Sequence, residues 1–189
     1  MTTTTAPDAQ RATIATSLRA LYFVRFGFAI VWAIIIAFTA AAVTPLSATL
    51  LVLYPVFDLA AAVIDHRVSR GTRSAGLLYV NMALSLLAAV GLAFAAGSGR
   101  SAVLLVWGLW AITAGAVQLI VGISRRSLGG QWPMILSGGI SVLAGAGFAL
   151  QSAGSSASLV GLAGYATLGG IFFLVSAIRL SRAAKAGAR

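Results

Sequence analysis

Apolar residues fill six long runs along the chain, and short polar or glycine-containing segments separate them. The runs lie near residues 19–43, 46–65, 75–96, 101–123, 132–151 and 157–179. Each run is close to the roughly 20 apolar residues that a helix needs to cross a hydrocarbon core of about 30 Å. The pattern therefore predicts an all-α integral membrane protein with six transmembrane helices.

Polar side chains interrupt the runs at a common depth. Arg25, Asp58, Asn81 and Gln118 each lie six to eight residues from a charged flank, which corresponds to roughly 9–12 Å along a helix. One interpretation is an interhelical clamp in which Arg25 pairs with Asp58, and Asn81 and Gln118 take up the remaining donors. The alternatives are a proton, ion or small-ligand path open to the cytoplasm, and an Arg25 side chain that snorkels to the membrane surface.

Basic residues recur at a fixed interval, since Arg70, Arg126 and Arg182 lie 56 residues apart. The same shift aligns Arg25, Asn81 and Ser137, so Ser137 joins the candidate polar cluster. In the three odd-numbered helices, small residues follow these positions at four-residue spacing: Ala29, Ala33 and Ala37; Ser85, Ala89 and Ala93; Ser141, Gly145 and Ala149. Residues four apart share a helix face, and small side chains let helices approach closely in lipid.

The repeat predicts three tandem helical hairpins, at about 19–74, 75–130 and 131–182, related by an axis along the membrane normal. An N-terminal cytoplasmic tail at 1–18 and a basic C-terminal tail at 183–189 flank this domain. We expect the small-residue stripes of the first, third and fifth helices to form the central packing surface.

The net charge of +10 is distributed unevenly along the chain. Eleven basic residues flank one side of the predicted spans and only Arg100 flanks the other; the eleven are Arg11, Arg19, Arg67, Arg70, Arg73, Arg125, Arg126, Arg179, Arg182, Lys185 and Arg189. Short loops rich in Lys and Arg stay cytoplasmic, so both termini are expected inside. Because every connection is short, the charge does not indicate nucleic-acid binding.

The sequence contains few of the residues that bind metals or cofactors or carry out catalysis. The chain has no cysteine and no Glu, with one His and three Asp, so neither a metal site nor a cofactor is expected. No hydrolase or phosphate-binding motif occurs, which predicts a protein that is not an enzyme. Asp65 and the only histidine, His66, form a candidate pH-sensing site, although a lone His beside arginines is more often a solvated residue at a helix end.

Several segments resemble the HdeD family of bacterial membrane proteins: "RFGFA" at 25–29, "WGLWAITAGAVQLIVGISRR" at 107–126 and "LGGIFFLVSAIRLSR" at 168–182. The resemblance implies a bacterial inner-membrane protein linked to acid resistance, without established catalytic residues. A structural or stress-protective role is expected, and a small channel or transporter is the alternative. Its partners would be the lipid bilayer and, as an open alternative, a second copy or another membrane protein.

Overall fold

The long apolar runs form helices, as their composition requires. A computed structural model describes residues 6–69, 75–129, 131–154 and 157–186, with side chains outside 6–12, 75 and 183–186. The helices are α1 (Ala6–Thr39), α2 (Pro45–Val68), α3 (Ala75–Ser98), α4 (Arg100–Ser124), α5 (Trp132–Ser152) and α6 (Val160–Ala186), with a 3₁₀ turn at Arg126–Leu128. The predicted Arg70, Arg73 and Arg189, and the side chains of Arg11 and Lys185, lie outside the described residues.

Each of the six helices contains a segment long and apolar enough to cross a membrane. Their outer faces carry large hydrophobic side chains, and Phe38, Phe94, Leu143 and Leu150 are 75–87% exposed. In lipid such faces are in a matching environment, whereas in water they would form an unusually large apolar surface. The predicted all-α, six-helix membrane architecture is confirmed, and the chain is a multi-pass membrane protein.

The helices are arranged as a ring. Within the described residues, each helix packs against the next one in the chain, and α1 closes the ring against α6. The closest pairs are α4–α5, α1–α6 and α2–α3, and these alternate around the ring with the looser pairs α1–α2, α3–α4 and α5–α6. Three tandem hairpins would produce this alternation, and the repeat itself stays a prediction.

Glycines bring α4 and α5 into backbone contact. A Cβ added at Gly145 would lie 2.6 Å from the carbonyl oxygen of Gly108, and one added at Gly138 would lie 2.6 Å from the backbone nitrogen of Leu119. Neither position has space for a side chain. This approach is typical of helix pairs in membranes, where small residues replace the hydrophobic effect as the basis of association.

The small-residue stripes contact even-numbered helices, so the prediction of a central surface formed by α1, α3 and α5 is wrong. The Cβ of Ala29 on α1 faces Gly170 on α6, Ser85 on α3 hydrogen-bonds Asp58 on α2, and Gly145 on α5 meets α4. No two odd-numbered helices form a closely packed pair among the described residues. Each stripe packs its odd-numbered helix against a neighbouring even-numbered helix. The centre of the ring is therefore free for other side chains.

The first helix begins well before the predicted boundary at residue 19. Its start lies at Ala6, and Ile14 and Leu18 are buried in a cluster with Phe173, Ala177 and Leu180 of α6. These apolar contacts explain why part of the segment predicted as an N-terminal tail continues the first span. In the same way, α6 continues through Ala186 into the predicted C-terminal tail.

A polar cavity at the centre of the helix ring

Side chains from all six helices enclose a cavity of about 100 Å³ inside the ring. The five residues of the predicted polar cluster all line it: Arg25, Asp58, Asn81, Gln118 and Ser137. One water requires about 10–15 Å³ of such space, so the cavity has room for several waters or one small solute. The residues that the sequence predicts at one depth on separate helices therefore line the same cavity.

Asp58 of α2 contacts three polar side chains from two neighbouring helices. Its Oδ1 pairs with Nη2 of Arg25, and its Oδ2 accepts hydrogen bonds from Asn81 Nδ2 and Ser85 Oγ, each at 2.8 Å. Trp110 Nε1 extends the network by donating to Ser85 Oγ at 3.3 Å. The predicted Arg25–Asp58 pair is therefore present, and helices α1, α2, α3 and α4 are joined through it.

The guanidinium of Arg25 turns into the bundle and does not snorkel. Its central carbon lies 4.3 Å from the ring centroid of Phe173 on α6, within the range of a cation–π contact. The side chain is 18% exposed, and its Nε is buried with no hydrogen-bond partner among the described residues. Arg25 Nε is therefore a buried donor that no described residue satisfies.

Gln118 and Ser137 line the cavity without joining the Asp58 network. Gln118 Nε2 donates to the carbonyl oxygen of Met134 at 3.3 Å, so the prediction that it serves the Arg25–Asp58 pair is wrong. The close packing of α4 against α5 explains this partner. Ser85 joins the Arg25–Asp58 pair where Gln118 was predicted to do so. The sequence indicates Ser85 only by its position one turn after Asn81.

A second ion pair lies where the cavity approaches the arginine-rich end of the bundle, which we define by Arg19, Arg67, Arg125, Arg126, Arg179 and Arg182. Arg125 donates to both carboxylate oxygens of Asp65, at 2.9 and 2.7 Å, and Ser69 Oγ bonds both partners. Burial disfavours the charged guanidinium, but the hydrogen bonds and charge of Asp65 outweigh it and raise the pKa of Arg125. The sequence indicated Arg125 only as a topological charge.

Asp65 and His66 are neighbours in the chain but face different surroundings. Asp65 points to Arg125, whereas the His66 ring lies 4.2 Å, centroid to centroid, from the ring of Tyr79 on α3. The structure therefore does not bring the two candidate pH-sensing residues together into one site. Their proposed sensing role stays a prediction.

Aromatic side chains close the cavity on the side away from the arginine-rich end. We call Trp32, Tyr54, Trp107 and Trp110 the aromatic plug; Trp32 and Trp107 stack with centroids 5.3 Å apart, and both are buried. Tyr54 and Trp110 contact this stack and also line the cavity. An apolar core with members such as Leu104 surrounds the plug, so among the described residues apolar side chains fill the bundle on that side of the cavity.

Gln131 supplies a further buried polar atom that the sequence gave no reason to select. It precedes α5, lines the cavity and is 2% exposed. Its Nε2 donates to the carbonyl oxygen of Gly129 at 3.2 Å, but its Oε1 has no partner among the described residues. A buried acceptor without a partner is costly.

The fold and the site define a multi-pass membrane protein with a charged and polar cavity enclosed by its six helices. Among the described residues, no three His, Cys, Asp or Glu side chains are grouped so as to hold a metal ion. Comparisons of the chain with protein-family models, curated proteins and solved structures find no match.

Proposed function

We propose that the chain is a bacterial inner-membrane protein of the HdeD type that admits a small polar solute into its central cavity from the cytoplasm, without catalysis. The observation that carries the proposal is the cavity itself. Its lining contains two ion pairs, amides and hydroxyls inside a protein whose outer faces are apolar. Intramembrane ionisable residues are expensive, and those that face a cavity commonly mark a solute or ion path.

The arginine-rich end supports the direction of entry. Among the described residues, six basic side chains flank that end and Arg100 alone flanks the opposite end. Such a bias supports a cytoplasmic position for the arginine-rich end. The Asp65–Arg125 pair lines the cavity at that end, whereas the aromatic plug blocks the other side.

The aromatic plug on one side of the cavity bears on whether the protein is a carrier or a channel. A channel requires a continuous polar lining, but apolar and aromatic side chains fill the bundle beyond the cavity. A solute that enters would therefore be held, and its release to the opposite side would require a rearrangement of the plug. This arrangement favours solute binding or a carrier cycle over free conduction.

Single cysteines in this cysteine-free chain test the proposal with a membrane-impermeant thiol reagent. Ser137→Cys, which lies in the cavity, should react in inverted membrane vesicles, where the cytoplasmic face is exposed, and not in intact cells. Ser127→Cys, exposed after α4, should behave in the same way, and Ser98→Cys, exposed at the end of α3, should show the reverse preference. A Ser137→Cys variant that reacts from neither side would refute solute entry.

A second candidate is a stress-protective role in which the polar cluster only clamps helices together. The pairing of Arg25 with Asp58 and of Arg125 with Asp65 favours it, since a clamp requires mutual neutralisation. It differs from the first candidate in one measurable respect. A clamp needs no access for solute, so it predicts an unreactive Ser137→Cys beside a reactive Ser127→Cys.

A further inference from the structure

The charges that line the cavity cancel in pairs, and this restricts what the cavity can hold. Arg25 faces Asp58 and Arg125 faces Asp65, which leaves no unpaired formal charge among the described lining residues. Building on the proposed function, we propose that the solute is small and uncharged, and that it both accepts and donates hydrogen bonds, as a simple amide or polyol does.

An ion is a poor occupant for electrostatic reasons. Moving an isolated charge from water into a low-dielectric interior is costly unless a counter-charge is available there. Each charged group of the cavity already has its partner, and both carboxylates accept further hydrogen bonds, from Ser85 and Asn81 in one case and from Ser69 in the other. An entering ion would have to break an existing pair, which leaves the displaced partner buried and uncompensated.

Amide and hydroxyl side chains of the lining indicate which hydrogen bonds a solute could make. Asn81, Gln118, Gln131 and Ser137 all line the cavity. An amide has N–H donors and a carbonyl acceptor, and a hydroxyl can donate or accept. A solute with one carbonyl or hydroxyl oxygen and one N–H or O–H group could therefore bond to this lining in both directions.

The remaining walls of the cavity are apolar. Side chains such as Met134, Val117 and Phe173 form part of the lining. Small-molecule sites commonly combine apolar walls with a few placed polar groups that fix orientation. A solute of a few non-hydrogen atoms, such as acetamide or glycerol, fits this description.

Three thiol reagents of similar size but different charge test this inference on Ser137→Cys in inverted vesicles. They are the hydroxyethyl, ethylammonium and sulfonatoethyl methanethiosulfonates, and each rate is divided by the rate at Ser127→Cys. The neutral reagent should be at least about tenfold faster than either charged one, which corresponds to a barrier difference of about 1.4 kcal/mol. Acetamide should slow modification of Ser137→Cys, and ammonium or formate ions at equal concentration should not.

The outcomes separate the inference from the proposed function. If no reagent modifies Ser137→Cys, solute entry itself is refuted. If a charged reagent is as fast as the neutral one, the cavity is accessible but does not select uncharged solutes, and the inference is overturned. Adding Gln131→Leu to Ser137→Cys should abolish the protection by acetamide, and full protection in that variant would remove Gln131 from the site.

Discussion

Substitution of Arg25 and Asp58 by leucine, singly and together, measures whether their pair stabilises the bundle. The side chains are 18% and 9% exposed, so neither charge is freely solvated. Breaking a buried pair by removing one partner typically costs about 3–5 kcal/mol, because the other charge is left uncompensated. Replacing both by apolar residues of similar size avoids that stranded charge.

The hydrogen bonds around Asp58 make the two single variants unequal. In Arg25→Leu the carboxylate keeps its bonds from Asn81 and Ser85, so we expect a loss at the lower limit, about 3 kcal/mol. Asp58→Leu strands the guanidinium and also removes the acceptor of Asn81 and Ser85, so we expect about 4 kcal/mol or more. The double variant loses those neutral bonds but strands no charge, and should lose no more than Asp58→Leu.

Reversible unfolding by SDS in detergent micelles gives the required free energies, with tryptophan fluorescence as the signal. Trp110 is a suitable reporter because its Nε1 contacts Ser85 within the Asp58 network. Arg100→Leu, at an exposed residue of the opposite end, serves as the control and should change little. Simple addition of the two single losses, to about 7 kcal/mol in the double variant, would show that the residues are not coupled and would refute the reasoning.

Two further predictions concern helix packing, each with a matched control. Gly145→Leu should destabilise the protein by about 3 kcal/mol or more, because its Cβ would meet the backbone of Gly108. The control Gly147→Leu has open space and should be nearly neutral. Equal melting temperatures of the two variants would contradict the α4–α5 contact. Trp32→Phe should lower the free energy of unfolding by about 1 kcal/mol more than Trp107→Phe. The reason is that Trp32 Nε1 donates to the carbonyl oxygen of Leu50 at 2.6 Å, whereas Trp107 Nε1 has no partner among the described residues. The reverse order in SDS unfolding would refute this.

The sequence predicted the helices and the inward-facing positions well, because both depend on local periodicity. A shift of 56 residues aligns Arg25, Asn81 and Ser137, and all three line the cavity. Tyr22, Leu78 and Met134 are related by the same shift, lie one turn closer to the arginine-rich end, and line it as well. Helical periodicity determines which residues share a face, and that information is present in a single sequence.

Periodicity could not identify the neighbour that each face contacts. The stripe containing Gly145 was expected to meet other odd-numbered helices, yet it meets Gly108 on α4. For the same reason Gln118 was assigned to Asp58, although the packing of α4 on α5 directs it to Met134. Arg125 was counted only as a flanking charge, because its partner Asp65 lies 60 residues away in the chain.

The sequence departs from its predicted repeat where the aromatic plug lies. A shift of 56 residues aligns Trp32 with Ala88 and Trp107 with Ala163, so each large ring is matched by a small side chain. Both tryptophans and both alanines belong to one buried core, in which the two indole rings stack with centroids 5.3 Å apart. Close packing of a core requires large side chains to be combined with small ones, and this core meets that requirement. The closed side of the cavity therefore lies where the shift matches large side chains with small ones, whereas the polar side lies at the level of Arg25, Asn81 and Ser137.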